Sequence, residues 1–408
     1  MKRTEHTYYL VYAMYCASWS FLTPVYTLFL LHRGLDLFEV NVVFAVYLIT
    51  AFVFEVPTGA VADVFGRKAS FVLSCVLRSV AFGLYWFAER LPDFLIAELV
   101  DAIGTTLATG ALDAWAVDGM RAEGHAGTTE KLFARAFVYC RPLMVSAGVL
   151  GAYAANADIG TPWVLGASGF ALTGLVGLLL MREDRKPPGR PHGVLAAWVT
   201  TTRDGFVTVR RNPQLAVLCF LTAATAFAVM PAWHYWPARL TDLSGSGIWL
   251  VGWMYALISA ASMAASAVTP RLVAHFRREH ILLVACLIRG GMLMIAALSS
   301  TLAPALAGIV VMDAVFGLSE PMMQSWMNER VESAQRATVL SVRSMAFTLG
   351  GGLGLICLGL LARQSSIALA WGVSATLLIL VAPAFLLLAR PVPVADKEDP
   401  QPAAIPLG

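Results

Sequence analysis

Twelve runs of about 20 mostly apolar residues occupy the greater part of the chain, and no other feature constrains its fold so tightly. A helix of that length crosses a hydrocarbon layer ~30 Å thick. The runs fall at 8–31, 38–58, 69–88, 93–115, 135–156, 162–181, 214–237, 247–268, 281–300, 303–325, 339–361 and 367–389. None shows the two-residue alternation of a barrel strand, so each reads as a helix, span 1 to span 12. The first run is too long for a signal-peptide core and no small-residue cleavage site follows it, so it stays as a span. Composition agrees: 58% of the 408 residues are apolar or aromatic and only 13% are charged, far from what a water-solvated surface needs. The chain is an all-α membrane protein.

Several classes of function drop out at this point. The net charge is only +3 and the basic residues are scattered, so nucleic acid is not an expected partner. Cys16, Cys75, Cys140, Cys219, Cys286 and Cys357 all sit inside apolar runs, without a C-x-x-C pair or clustered His, which argues against metal or redox chemistry. With no nucleotide loop and no Ser/His/Asp constellation, no enzyme and no cofactor are expected. Any work must draw on an ion or solute gradient.

The loops fix an orientation. Twenty-one of the 29 Lys and Arg fall on the side of the N-terminus, and only Arg33, Arg90, Arg239 and Arg363 lie in loops on the other. Basic loops stay inside, so both termini are expected in the cytoplasm. High Ala, Val and Arg usage suggests a bacterial source, hence the cytoplasmic (inner) membrane. The expected domains are a six-helix bundle over 1–181, a central cytoplasmic linker over 182–213, a second bundle over 214–390 and a disordered tail over 391–408. Within the linker, 194–209 reads as a short amphipathic surface helix.

The two bundles repeat each other. Pro24 and Tyr26 in span 1 meet Pro231 and Trp233 in span 7 at a shift of 207, and Cys75-Val-Leu-Arg78 in span 3 meets Cys286-Leu-Ile-Arg289 in span 9 at 211. Asp101 meets Asp313, Trp115 meets Trp326 and Arg141 meets Arg343 in the same order. Two parallel six-helix repeats are an architecture of secondary transporters, which bind their cargo near the midplane between the halves. The loop after span 2 adds a local signature, Gly59-Ala-Val-Ala-Asp63-Val-Phe-Gly66-Arg67-Lys68. It resembles the Gly-x-x-x-Asp-x-x-Gly-Arg-Lys motif of the major facilitator superfamily, with Val64 where a basic residue is common. The second-half loop keeps only the basic pair Arg277-Arg278.

This resemblance implies two pseudo-symmetric six-helix bundles, spans 1, 4, 7 and 10 around a cavity, and spans 3 and 9 outside it. It also implies a cytoplasmic gate made by Gly59, Asp63, Gly66, Arg67 and Lys68, with Asp118 as the partner of Arg67. Gly59 and Gly66 would allow a tight turn, and Asp63 would accept from backbone or face a helix N-terminus.

Ionisable groups inside the membrane cost roughly 2.5–3.5 kcal/mol on insertion scales and need partners or a wet cavity. Depth along antiparallel neighbours predicts two symmetry-related ion pairs, Arg78–Asp101 and Arg289–Asp313, with the carboxylates also open to the cavity. In span 10, Asp313, Gly317, Glu320 and Gln324 share one helical face, expected to line the cavity. Glu320 has Thr109 as its repeat equivalent and therefore no obvious partner. It reads either as a proton or substrate carrier or as a hydrogen-bonded structural residue. Glu55 and Asp113 join Glu320, Asp313 and Asp101 as candidate coupling groups. Arg141 and Arg343 would face the cleft, binding an anion or neutralising Asp113 and Glu320. Tyr15, Trp19, Tyr26, Trp233 and His234 bring stacking surface to the presumed cavity helices, which Pro24 and Pro231 would bend.

The functional expectation is a monomeric secondary transporter of a small amphipathic organic compound, using protons and alternating access to export it. Uptake of a small organic nutrient, such as an organic anion, by symport or facilitated diffusion is the alternative.

Overall fold

The computed structural model describes residues 3–124, 129–183, 207, 209–330 and 333–389. Nearly all of them are helical and no strand occurs among them. Span 1 is Arg3–Ser20, resumed at Tyr26–His32; span 2 is Leu37–Phe65; span 3 is Arg67–Phe87; span 4 is Leu91–Ala108, resumed at Ala111–Ala122. Span 5 (Thr129–Ala157) and span 6 (Thr161–Leu180) complete the first bundle. The second consists of span 7 (Pro213–Ser244), span 8 (Trp249–His275), span 9 (Arg278–Leu298), span 10 (Leu302–Arg330), span 11 (Ser333–Gln364) and span 12 (Ile367–Val381). Span 12 ends as a 3-10 segment, Ala382–Ala389, entered at Pro383. The amphipathic helix expected at 194–209 and the tail from 391 lie, apart from isolated linker positions, outside the described residues.

Among the described residues, ten helices are long and apolar enough to cross a membrane by hydropathy alone. Spans 1 and 5 join them by packing. The first is interrupted over 21–25, and the second carries Arg135 and Arg141. Local chemistry sets several ends. Asp36 Oδ1 accepts from the Phe38 and Glu39 amides at 2.8 and 2.9 Å while Glu39 accepts from the Asp36 amide, a reciprocal cap that starts span 2. Span 2 then runs on to Phe65 and stops at Gly66, whose φ of +100° parts it from span 3. Pro57 and Gly59 therefore lie inside a helix and not in a loop. Pro24 sits in the break of span 1, whereas Pro231 and Pro237 are absorbed in a continuous span 7.

Packing repeats with a shift of six. Spans 1·5, 1·6, 2·4, 3·4 and 3·6 are neighbours in the first bundle, and spans 7·11, 7·12, 8·10, 9·10 and 9·12 in the second. Contacts between halves obey the same rule, span 2 on span 11 and span 5 on span 8. Two of the closest approaches are symmetric too. Gly151 of span 5 lies on the Phe21 backbone of span 1, and Gly354 of span 11 lies on the Phe227 backbone of span 7. Outward-facing Val76, Val80, Leu172, Leu175, Val284, Ile295 and Leu380 give spans 3, 6, 9 and 12 the apolar exterior that lipid requires.

Call the face that bears Arg67, Lys68, Arg277 and Arg278 the basic face; both described chain ends lie there, and the other face is distal. The halves are joined toward the distal face. Thr27 donates to the His234 carbonyl at 2.6 Å, and Asn41 donates to the Tyr235 hydroxyl. The Trp253 indole donates to Tyr153 at 3.1 Å, and Arg363 pairs with Asp36 at 3.0 Å.

Candidate functional site

Toward the basic face the halves part around a partly enclosed cavity of about 730 Å³. Its wall comes from the basic-face halves of spans 2, 10 and 11. Leu48, Phe52, Phe316, Phe347 and Met345 make it apolar, while Ser341, Ser344 and Thr348 supply hydroxyls. Three charged groups stand in the wall: Glu55, Glu320 and Arg343. Glu320 has the partner that the repeat did not suggest. Arg343 Nη2 reaches both its carboxylate oxygens, at 2.7 and 2.8 Å, and Gln324 donates to Oε1 at 3.3 Å. Glu55 differs: among the described residues its carboxylate makes no hydrogen bond and no ion pair. It is the uncompensated charge of the wall.

The predicted lining needs correction. Of Tyr15, Trp19, Tyr26, Arg141, Trp233, His234, Gln324 and Arg343, only Arg343 is on the wall of this cavity. Spans 1 and 7 spend most of these rings elsewhere: Tyr26 and His234 pack on Phe44 toward the distal side, while Trp19 is exposed. His234 is stacked on Phe44 at 3.7 Å between ring centroids, and Trp233 meets Phe316 edge-on at 4.6 Å. Tyr15 turns back into its own bundle to accept from Arg78. The span 10 stripe is also split. Gly317 packs against Ser262 of span 8, and Asp313 lies among Ser262, Trp233, Arg289 and Arg141, so only Glu320 of the four faces the cavity.

The two buried arginines part company. Arg78 Nε donates to Asp101 Oδ1 at 2.8 Å and Nη2 to Oδ2 at 3.2 Å, with both side chains almost fully buried. Its guanidinium also lies over the rings of Phe170 and Tyr15. Arg289 and Asp313 were expected to repeat this pair, and they do not: among the described residues Arg289 has no salt bridge within 4 Å, and its Nε lacks a partner. The cause is one substitution between the repeats. Gly104, three residues after Asp101, leaves room for the Arg78 stem, and a Cβ there would stand 2.8 Å from Arg78 Cγ. Three residues after Asp313 stands Phe316, and Arg289 stacks over its ring at 5.2 Å.

On the basic face, Arg67 donates to Asp118 and, at 2.6 Å, to the Ala114 carbonyl. The cap expected from Asp63 is made by Glu183 instead. The carboxylate of Glu183, just beyond span 6, accepts from the Arg67 and Lys68 amides at 2.8 and 3.2 Å, at the N-terminus of span 3. Gly66 makes way for it, since a Cβ there would meet that carboxylate. Asp63 is exposed and, among the described residues, free of hydrogen bonds. Gly59 has open space around it, so the close approach expected of it does not occur. Asp113 lies outside the cavity and accepts from the Tyr8 hydroxyl at 2.7 Å.

Two features escaped the sequence reading. Glu98 lies three residues before Asp101, only 3% exposed, and accepts from two tyrosines. A lone carboxylate inside an apolar run was the available signal. The Asp36–Arg363 bridge is the other, because its members belong to different repeats and no internal symmetry pairs them. The bridge is half exposed, so it is worth at most about 1 kcal/mol. Arg363→Gln should therefore raise the population of molecules open on the distal face by up to about five-fold. Spin-label distances across that face measure the change.

The comparisons agree with this architecture. The sequence profile of the Major Facilitator Superfamily matches residues 8–354 and 250–406. The uncharacterised MFS-type transporter YxaM of Bacillus subtilis (strain 168) is 22% identical over 376 residues, covering 90% of this chain and 89% of that protein. Among solved structures, the nucleoside transporter NupG superposes with a TM-score of 0.78 at 14% identity, covering 96% of this chain and all of that one. A bacterial homologue of the lysosomal transporter Spinster, inward-facing and occupied, gives 0.75 at 14% identity over 94% and 96% of the two chains. The D-xylose–proton symporter gives 0.72 at 13% identity, again over 94% and 96%. With its duplicated bundles, the Gly59–Lys68 sequence between spans 2 and 3 and a profile match over most of its length, the chain belongs to the Major Facilitator Superfamily and is a transporter of that family.

Proposed function

We propose that this transporter exports small amphipathic organic compounds carrying a positive charge, in exchange for protons. The observation that carries the reading is Glu55, a carboxylate without a partner among the described residues, in a wall whose other charges, Glu320 and Arg343, neutralise each other and whose remainder is mostly apolar and aromatic. Such a group is neutralised either by a proton or by a cationic ligand, and the two exclude each other. Exclusive occupancy is the physical basis of exchange. The phenylalanines beside it offer the stacking and cation–π surface that an amphipathic cation uses.

Uptake of an organic anion has less support. Arg343 is already neutralised by Glu320, and Asp313 lies close to Arg141. In this reading the basic face is cytoplasmic by the positive-inside rule, in the inner membrane of a bacterium. The bundles 1–181 and 214–390 rock as bodies about the connector 182–213, one monomer being the working unit. Glu55, Glu320 and Arg343 contact cargo or protons, and Arg67–Asp118 belongs to the gate.

Proteoliposomes enclosing a pH-sensitive dye test the exchange, with ethidium added outside as the probe. Ethidium entry should make the lumen more alkaline, and Glu55→Gln should abolish the coupled flux while leaving insertion intact. Lumenal acidification during ethidium entry would mean symport, and unimpaired exchange by Glu55→Gln would remove Glu55 from the mechanism.

A further inference from the structure

Three oxygens form a closed triangle deep in the distal half of the first bundle. Tyr26 of span 1 donates to Glu98 Oε2 at 2.6 Å, Tyr85 of span 3 donates to the same oxygen, and the two phenol oxygens are also within hydrogen-bond distance of each other. Each edge of such a triangle needs its own proton. The two hydroxyls supply two, and an ionised carboxylate supplies none. With the carboxyl protonated, its O–H donates to one of the tyrosines in place of accepting from it, so that each oxygen donates once and accepts once and all three edges are satisfied around the ring.

The charge balance leads to the same state. Arg78 is the nearest cation, and Asp101 already holds it bidentately. Among the described residues Glu98 has no salt bridge. Ionised, it would add a second negative charge beside Asp101, one helical turn away and equally buried, with no counter-ion. The titratable and charged groups facing the site are Tyr26 from span 1, Arg78 and Tyr85 from span 3, and Asp101 from span 4, while Tyr47 of span 2 faces Arg78 and Asp101 beside it. Span 6 contributes Trp163, stacked flat on Tyr85 at 3.9 Å.

The triangle is tied to the closure between the halves. Tyr26 is the first residue of the resumed helix of span 1, and its ring packs on Phe44, the ring that carries His234 of the other half. The next residue, Thr27, bonds the His234 carbonyl. Opening the distal face must therefore pull on the short helix that holds one corner of the triangle.

We propose that Glu98, with Tyr26 and Tyr85, is a proton-binding site separate from the cavity, occupied while the distal face is closed and emptied to the distal side as that face opens. Loading adds one proton to the Glu98 carboxylate, and opening returns it to water through the space Tyr26 leaves. The proton enters and leaves on the distal side, so the site governs closure of that face and adds nothing to the net proton flux assigned to Glu55, and its test needs no cargo.

Infrared difference spectra of the protein in lipid vesicles, taken across a pH titration, report the site directly. The parent should show the carbonyl band of a protonated carboxyl group that vanishes toward alkaline pH, and Glu98→Gln, a neutral isostere, should lack it. Tyr26→Phe should keep the band at a shifted frequency. Spin labels at Glu89 and Ser300, on distal loops of the two halves, should move apart as the parent loses the band. In Glu98→Gln they should stay at the closed distance at every pH. An identical band in Glu98→Gln, or equal opening of that variant with pH, overturns the proposal. Were Glu98→Gln not recovered folded, an unmoved band in Tyr26→Phe would overturn it equally. Failure of ethidium–proton exchange through Glu55 leaves these spectra untouched, so the two readings fall separately.

Discussion

Asp101→Asn should destabilise the protein by roughly 3–5 kcal/mol, the largest single loss expected anywhere in the molecule. The substitution keeps the shape of the side chain and removes its charge. It leaves Arg78, 3% exposed, as a buried cation with only neutral acceptors. The attraction that offset its desolvation is then gone, while the desolvation remains. Thermal unfolding in detergent or lipid should report the drop. Removing the cation as well, with Arg78→Met added to Asp101→Asn, should recover most of it, because a neutral pair incurs no ionic penalty. Asp313→Asn should cost markedly less, since no salt bridge joins Arg289 to Asp313. Equal losses at Asp101 and Asp313 would contradict the asymmetry of the two bundles.

The next largest effects belong to two glycines. Gly151→Ala and Gly354→Ala each push a methyl group into a neighbouring helix backbone. A Cβ on Gly151 would stand 2.7 Å from the Phe21 carbonyl carbon, and one on Gly354 would stand 2.8 Å from that of Phe227. Overpacking usually costs about 1–3 kcal/mol when side chains can repack. Here the obstacle is main chain, which cannot turn aside, so spans 1 and 5, or 7 and 11, must separate. Each variant should fall at or above the top of that range. Gly352→Ala is the control: its surroundings are empty, and alanine should be neutral or stabilising by up to about 1 kcal/mol through helix propensity. A Gly354→Ala protein with the stability of Gly352→Ala would show that the contact is not a packing constraint.

The number of spans, the duplication and the contact of Arg67 with Asp118 were legible in the sequence because each rests on a period or a spacing. Length and apolarity mark a span, and helical rise puts Arg78 level with Asp101. The second ion pair failed where symmetry was asked to specify side-chain contacts. Depth is inherited by a repeat, but room beside the stem of an arginine depends on the opposing residue, Gly104 in one half and Phe316 in the other. The cavity failed for a related reason. Aromatic residues on spans 1 and 7 were assigned to a ligand, yet Tyr26 and His234 both pack on Phe44 of span 2, Trp233 on Phe316 and Tyr15 on Phe170. The repeat gave Glu320 no partner because its equivalent is Thr109; its pairing with Arg343, one of the two roles the sequence offered that arginine, comes from a different helix of the same bundle. Asp63 and Glu183 exchanged roles because capping depends on where the chain returns after span 6. No motif within the loop encodes that.

Span 1 is a rod with a joint, broken over 21–25 beside the point where Gly151 bears on it. Its counterpart, span 7, is an unbroken strut of 32 residues despite two internal prolines. A load applied to the strut passes along its whole length, whereas the same load on the rod is taken up at the elbow. The twofold plan of the molecule is thus not matched by its mechanics, and neither half can assume the shape of its twin simply by borrowing the other's coordinates.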